Sequence, residues 1–145
     1  MTVAALALSF AVLAQGAIAL GLLWRLGTIR LPLIARKEVA LEAMALSRDP
    51  WPAHEKQVAN AFDNQFQLPV LFYVAALLAL HLGPGPVEAG LAWLFVASRV
   101  VHAAIFVTSN HVVRRFAAFT VGFCVLGLLW IALAIRFAML ALGNA

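Results

Sequence analysis

The stretch Phe116–Ile135, FAAFTVGFCVLGLLWIALAI, contains no charged residue and is followed directly by Arg136. A helix needs about 20 predominantly apolar residues to cross the hydrocarbon core of a bilayer, and this stretch has that length. Three further apolar runs of the chain have similar length. The four predicted spans cover about residues 2–24, 58–82, 87–107 and 116–136. The chain is therefore predicted to cross a membrane four times.

The composition supports an integral membrane protein over a soluble one. Of the 145 residues, 65% are hydrophobic and only 11% are charged, whereas soluble domains have roughly 45–50% apolar and about 25% charged residues. A small domain of this composition in water would leave apolar surface that it could not cover. We predict an all-α membrane protein in which residues 1–145 form a single four-helix transmembrane bundle.

The basic residues predict the orientation of the chain rather than a nucleic-acid partner. The net charge is +4, but the Lys and Arg residues lie between the apolar runs, from Arg25 to Lys56 and at Arg114–Arg115, and form no single basic stripe. The turn 81–88 has no Lys or Arg. By the positive-inside rule, the first and third loops are cytoplasmic and both termini lie outside. No nucleic-acid partner is expected.

The first apolar run and part of the first loop each have a specific structural interpretation. The first run could be a signal peptide cleaved after Val12-Leu13-Ala14, but no basic residue precedes it and its apolar stretch continues well beyond, so we predict a retained helix. In the first loop, the segment Ala35 to Ser47 could form a short helix at the membrane surface.

Small residues and one turn predict how the helices meet. Gly83 and Pro84 to Pro86 make a short break that forces the second and third helices into an antiparallel hairpin. Close helix contacts are expected where small residues occur in the first and fourth helices, at Ala14, Ala17, Gly21, Gly122 and Gly127. Cys124, the one cysteine, excludes an intramolecular disulfide and a Cys-based zinc site, and we expect it to be a small buried hydrophobe. No metal ligands are predicted.

Polar side chains recur inside the second and third spans at helical spacing. One face of the second span carries Asn60, Asp63, Asn64 and Gln67. One face of the third carries Arg99, His102, Phe106 and Ser109. A rise of about 1.5 Å per residue places Asp63 roughly 10 Å and His102 roughly 18 Å from the cytoplasmic ends of their helices. These faces predict a polar cavity open to the cytoplasm, with arginines at its mouth: Arg25, Arg30, Arg114 and Arg115.

Two interpretations of these polar residues remain open. They could be packing contacts, since Asn, Gln and His often hydrogen-bond between membrane helices, and Arg99 with Asp63 could be a purely structural pair. Ionisable groups inside a membrane nevertheless cost about 2.5–3.5 kcal/mol each on insertion scales, so a functional reason is favoured. A cavity with cationic walls and apolar surroundings suits an amphipathic anion together with a lipophilic partner.

Two stretches resemble the MAPEG family, the membrane-associated proteins in eicosanoid and glutathione metabolism. The first, residues 60–73, reads NAFDNQFQLPVLFY and is similar to the Asn-x-x-Glu signature that opens the family's second helix. The second is Arg99-x-x-His102, followed by Asn110 and the Arg114–Arg115 pair, and is similar to the family's third helix and to the arginine that opens its fourth. With the pattern of spans, the resemblance covers nearly the whole chain.

The resemblance implies a homotrimer that binds glutathione between subunits, near the cytoplasmic side, and uses it on lipophilic electrophiles. It implies that Asn60 and Asp63 hold the polar groups of the tripeptide, and Asn64 lies on the same face. Arg25 or Arg30 would match the basic residue that ends the first helix. The resemblance further assigns His102 to a polar position of the third helix. Arg115, or else Arg114, would match the arginine that stabilises the glutathione thiolate, so the catalytic candidate is Arg115.

The chain departs from the family pattern at three positions. Asp63 replaces the glutamate of the signature, and Pro69 comes later than the family's proline. Phe106 stands where glutathione-binding members carry a tyrosine, and a phenyl ring donates no hydrogen bond. Two functions are therefore considered: a glutathione-dependent transferase or peroxidase acting on lipophilic electrophiles, or a non-catalytic membrane protein that binds a lipid or a partner in the same cavity.

Overall fold

The computed structural model describes residues 1–44 and 47–143, and all regular secondary structure in these ranges is helical. The elements are α1 (Val3–Ala35), α2 (Leu41–Met44), α3 (Ala53–Asp63), a 3₁₀ turn (Asn64–Phe66), α4 (Leu68–Leu82), α5 (Pro86–Val107) and α6 (Val112–Gly143).

Four helical stretches are long and apolar enough to cross a membrane: Val3–Ala35, Ala53–Leu82, Pro86–Val107 and Val112–Gly143. The second combines α3, the 3₁₀ turn and α4. This confirms the prediction of an all-α, multi-pass membrane protein with four apolar helices. The orientation of the loops and the trimer remain predictions.

The core lies where α1, α4, α5 and α6 converge. Helix α5 packs mainly against α6 and α1, and α4 packs against the same two helices. Although α4 and α5 are joined by a short turn, they have few contacts with each other; one is the stacking of the rings of Phe72 and Phe95, whose centroids are 4.7 Å apart. The small residue Gly122 allows α5 and α6 to approach closely, because a Cβ atom there would lie 2.7 Å from Ser98 Oγ. The same expectation for Gly21 and Gly127 is wrong within this chain, since neither has a neighbouring atom within 4 Å of such a Cβ.

The turn between α4 and α5 is stabilised by contacts with Arg136 of α6, which we call the Arg136 clamp. Gly83 adopts a positive φ of 75°, which glycine tolerates because it has no Cβ. Arg136 of α6 donates to the carbonyl oxygens of Leu82 and Gly83, each at 3.0 Å, and pairs with Glu88 at 2.8 Å. The predicted hairpin is present, and α6 holds it closed at the end of the bundle that we call the Arg136 end.

The second span is interrupted, which the hydropathy pattern did not predict. Its helix ends at Asp63, passes through the 3₁₀ turn and begins again at Leu68. Pro69 explains the interruption, because proline has no N–H and its ring would clash with the carbonyl of Gln65 in a continuous helix. The expected single polar face is therefore wrong beyond Asn64, and Gln67 is an exposed residue at the break.

The first helix is longer than the predicted span. It continues to Ala35, and its 33 residues extend about 50 Å at 1.5 Å per residue. This exceeds the hydrocarbon thickness of about 30 Å, so α1 is longer than a membrane crossing requires. A short surface helix was expected from Ala35 to Ser47. Between the end of α1 and Met44, the described residues of this segment form only the helix α2. Ala45 and Leu46 lie outside the described residues.

Cys124 does not behave as expected. Its side chain is exposed on α6 rather than buried. The reason is that α6 buries only one stripe in this bundle, formed by Ala118, Gly122, Leu126, Leu129 and Leu133, and position 124 lies off that stripe.

Candidate functional site

A cavity of about 240 Å³ lies where α5 ends and α6 begins, against the 3₁₀ turn of the second span. Its walls combine two polar side chains and one cation with apolar groups: Asn64, His102, Phe106, Val112, Arg115, Phe116 and Phe119. Three of the sequence-predicted site residues, Asn64, His102 and Arg115, thus line one space. We call this part of the bundle the Arg115 end.

Arg115 presents its guanidinium to this cavity without a carboxylate partner. Its Nη1 donates a hydrogen bond to Asn110 Oδ1, and its guanidinium carbon lies 4.1 Å from the ring centroid of Phe106. None of the ion pairs found among residues 1–44 and 47–143 involves Arg115. The positive charge is therefore held in place but not neutralised.

His102 forms the deeper wall of the cavity. Only 2% of its surface is exposed, and its ring lies edge-on to that of Phe106, with centroids 5.6 Å apart. Its Nδ1 atom is buried and makes no hydrogen bond. A buried polar atom without a partner costs about 1–3 kcal/mol, so His102 is an energetically costly residue in this wall.

The family model for MAPEG, "MAPEG family", matches residues 3–135 of the chain. The chain belongs to the MAPEG family. No curated protein and no solved structure matches this chain. Family membership agrees with the four apolar helices and makes this a multi-pass integral membrane protein.

One helical turn deeper than His102, this MAPEG chain contains a second arginine that has no counter-charge among residues 1–44 and 47–143. Arg99 is fully buried, and its Nη2 donates to the carbonyl oxygen of Asn64 at 3.3 Å. Its Nε and Nη1 atoms have no partner. The structural pair of Arg99 with Asp63, considered from the sequence, is not formed.

Asp63 instead faces the first loop. Its carboxylate pairs with Arg48 at 2.6 Å, and the hydrogen bond and charge of Asp63 raise the pKa of the Arg48 guanidinium above its ordinary value. Asn60 is exposed, one turn earlier on α3. Neither Asn60 nor Asp63 lines the cavity that contains Arg115, so the structure separates these two candidates from the other three.

The remaining basic candidates also lie away from the cavity walls. Arg25 and Arg114 are exposed. Arg30 pairs with Glu55 at 2.6 Å, and its guanidinium lies 5.0 Å from the ring centroid of Trp51. Since Glu55 is fully buried, the charge of Arg30 is used to stabilise the contact between α1 and α3.

Glu55 and two glutamines are structurally important residues that sequence reasoning missed. Gln15 of α1 donates to Gln65 Oε1 at 2.9 Å, and Gln65 donates to the carbonyl of Ala61 at 3.0 Å. Both glutamines are buried. They hold the 3₁₀ turn and hence the Asn64 wall of the cavity. A glutamine in the middle of the first apolar run was the available signal.

Within residues 1–44 and 47–143, no three His, Cys, Asp or Glu side chains are grouped so that they could hold a metal ion. The titratable groups of the cavity are instead one arginine and one histidine. Such a set can bind an anion and stabilise negative charge on it, and an arginine does so through charge-assisted hydrogen bonds.

Proposed function

We propose that this MAPEG protein is a glutathione-dependent transferase or peroxidase that acts on lipophilic electrophiles, with glutathione as the co-substrate. The observation that carries the proposal is Arg115, a cation that lines the cavity and has no carboxylate partner in the part of the chain that the structure describes. Family membership supports the choice of glutathione, and the charge of Arg115 suits the thiolate that the reaction requires.

The role of Arg115 is to stabilise the reacting sulfur as an anion. A thiol with a pKa of about 8.5 is only a few per cent ionised at neutral pH, and a neighbouring cation raises that fraction. The thiol proton passes to water. The thiolate then forms a C–S bond with an electrophilic carbon, and the leaving group departs with its bonding electrons. With a hydroperoxide, two glutathione molecules give the alcohol, water and glutathione disulfide.

Asn64 and His102 are proposed to bind polar groups of the tripeptide inside the same cavity. Asn60 and Asp63 lie outside it, which is consistent with the resemblance-based expectation that glutathione binds between subunits of a trimer. In such an assembly, exposed side chains of one copy are available to complete the site of another. The same proposal extends to the exposed basic candidates Arg25 and Arg114, whereas the charge of Arg30 is already paired with Glu55.

The electrophile is proposed to arrive from the bilayer along α6. An apolar groove of about 320 Å³ is lined by Phe116, Phe119, Thr120 and Phe123, and it shares Phe116 and Phe119 with the cavity that contains Arg115. A lipophilic molecule dissolved in the membrane would meet this aromatic surface before it met the arginine. Membrane lipid occupies the same surface when no substrate is present.

The decisive experiment uses the full chain purified in detergent. Glutathione binding is measured by calorimetry, and conjugation is measured with a chlorinated nitroaromatic for wild type and Arg115→Ala. We expect roughly a 10-fold or greater loss of kcat/KM in the variant, because an adjacent opposite charge shifts a pKa by about 1–3 units. Arg36→Ala is the matched control, since Arg36 is a loop arginine whose contact with Glu38 is exposed. It should retain wild-type activity.

Two outcomes would contradict this proposal at different levels. If the wild-type protein fails to bind glutathione at millimolar concentration, the enzyme function is wrong. If the wild-type protein conjugates the substrate and Arg115→Ala is equally active, only the role of Arg115 is wrong.

One observation favours a second candidate, a non-catalytic protein that binds a lipid in the same cavity. Phe106 replaces the family's tyrosine and presents only a ring face to Arg115. Together with Phe116 and Phe119, it makes the cavity walls more apolar than a tripeptide requires. Binding of a fatty acid without any binding of glutathione would support this candidate and exclude the enzyme.

A further inference from the structure

Asn110 lies in the connection between α5 and α6 and has an unusual backbone. Its φ is 47°, in the left-handed region, which asparagine tolerates better than most residues other than glycine. Its N–H donates to the carbonyl oxygen of Ile105 at 2.7 Å, which closes the end of α5. The conformation turns the chain so that α6 begins two residues later, at Val112.

This backbone brings the Asn110 side chain to Arg115 in the first turn of α6. Asn110 Oδ1 accepts the hydrogen bond from Arg115 Nη1, while the Phe106 ring lies against the guanidinium, with 4.1 Å between the guanidinium carbon and the ring centroid. Without these contacts, Arg115 would be a long side chain with several accessible rotamers at a half-buried position. The hydrogen bond from Asn110 and the ring face of Phe106 together limit the orientations open to the guanidinium.

The partner of Arg115 is an uncharged side chain, unlike the partners of the arginines that form ion pairs. In the described ranges, four arginines are paired with carboxylates, and Arg115 is paired with an amide. The carboxylate-paired arginines are Arg30, Arg36, Arg48 and Arg136. A carboxylate would orient the guanidinium but also offset its charge. An amide oxygen orients it and leaves its attraction for an anion nearly complete.

We propose that Asn110 is a positioning residue, which orients the Arg115 guanidinium toward the thiol of bound glutathione without neutralising it. The inference rests on the proposed function. It adds that residue 110 must be uncharged as well as able to accept the hydrogen bond from Arg115. The Phe106 ring completes the support from the opposite side.

Two substitutions at position 110 separate the hydrogen bond from the charge. Asn110→Gly retains the left-handed backbone and removes the acceptor. Asn110→Asp retains an acceptor of nearly the same shape and adds a negative charge. Lys37→Gly is the matched control, because Lys37 also has a positive φ, 56°, and belongs to the first loop away from the cavity.

The readout is the thiolate absorbance of glutathione bound to the purified full chain, titrated against pH, together with kcat and KM for conjugation. In Asn110→Gly, we expect the thiol of bound glutathione to titrate about one pH unit higher than in wild type, with kcat reduced several-fold and KM changed less. Asn110→Asp should show a larger shift and weaker glutathione binding, because its carboxylate offsets Arg115. Lys37→Gly should titrate as wild type does.

The outcomes distinguish this inference from the function on which it rests. If wild type forms no bound thiolate, the proposed function fails and the assignment of Asn110 fails with it. If wild type forms the thiolate and Asn110→Gly titrates identically, only the assignment is overturned. A wild-type profile in Asn110→Asp would also overturn it, because a purely structural role requires the acceptor and not its neutrality.

Discussion

The two ends of the bundle use arginine in opposite ways. At the Arg136 end, the guanidinium pairs with the buried Glu88 and also donates to two backbone carbonyls. At the Arg115 end, Arg115 has an amide partner and Arg99 has one carbonyl partner with two unused donor atoms. The difference indicates that Arg136 stabilises the fold, whereas Arg115 and Arg99 keep a positive charge that no carboxylate within residues 1–44 and 47–143 offsets, as the proposed function requires.

The largest stability effect is expected at the Arg136 end. Arg136→Met removes the partner of Glu88, whose side chain is only 6% exposed. Removing one partner of such a pair leaves a buried charge uncompensated, so we expect the free energy of unfolding to fall by about 3 kcal/mol. Thermal unfolding in detergent, followed by circular dichroism, measures it.

The double variant Arg136→Met, Glu88→Gln is the control for that experiment, because it removes the stranded charge and should recover part of the loss. Equal melting temperatures for wild type and Arg136→Met would show that the clamp contributes nothing, and the contrast between the two ends would then fail.

An intermediate effect is expected where α5 and α6 approach each other beside Arg99. In Gly122→Ala, the new methyl group would lie 2.7 Å from Ser98 Oγ, and overpacking of this kind costs about 1–3 kcal/mol. Gly127→Ala, on the same helix with no neighbouring atom within 4 Å, is the matched control and should be neutral or slightly stabilising. Denaturation midpoints compare the two. If both variants behave alike, the close approach is not a constraint on the bundle.

The smallest stability effect is expected for Arg99→Met. Methionine fills much of the same space, and replacing a buried charge by an apolar side chain is often neutral or stabilising. The free energy of unfolding should therefore stay within about 1 kcal/mol of the wild-type value or rise, and the melting temperature should change little or increase. A drop as large as that of Arg136→Met would show that Arg99 also stabilises the fold, which would remove the distinction between the two ends.

The apolar helices could be predicted from the sequence because the bilayer imposes one requirement, about 20 apolar residues, that hydropathy measures directly. The part of the cavity wall formed by α5 could be predicted from the sequence for a similar reason. His102 and Phe106 follow Arg99 at helical spacing on an uninterrupted helix, so their common face is a matter of periodicity.

The positions of the candidates on the second span and of Arg30 could not be predicted from helical periodicity. They depend on a break in one helix and on contacts between helices. Pro69 interrupts the second span, so the face that begins at Asn60 does not continue to Gln67. Arg30 meets Glu55 because α1 continues beyond the predicted end of the first span and α3 packs against it. Such pairings join residues far apart in sequence, and a single sequence does not report them.

The interruption of the second span also implies an order of assembly. Backbone groups that leave a helix inside lipid must find partners in the protein, and the turn at this break is held from both sides in sequence, by a side-chain contact from α1 and a backbone contact from α5. Gln15 of α1 holds the side chain of Gln65, whereas Arg99 of α5 binds the carbonyl of Asn64. During synthesis, the first partner enters the membrane before the break and the second enters after it. The second span therefore reaches its final shape only when the third has been inserted, which makes insertion and folding of this chain a coupled process.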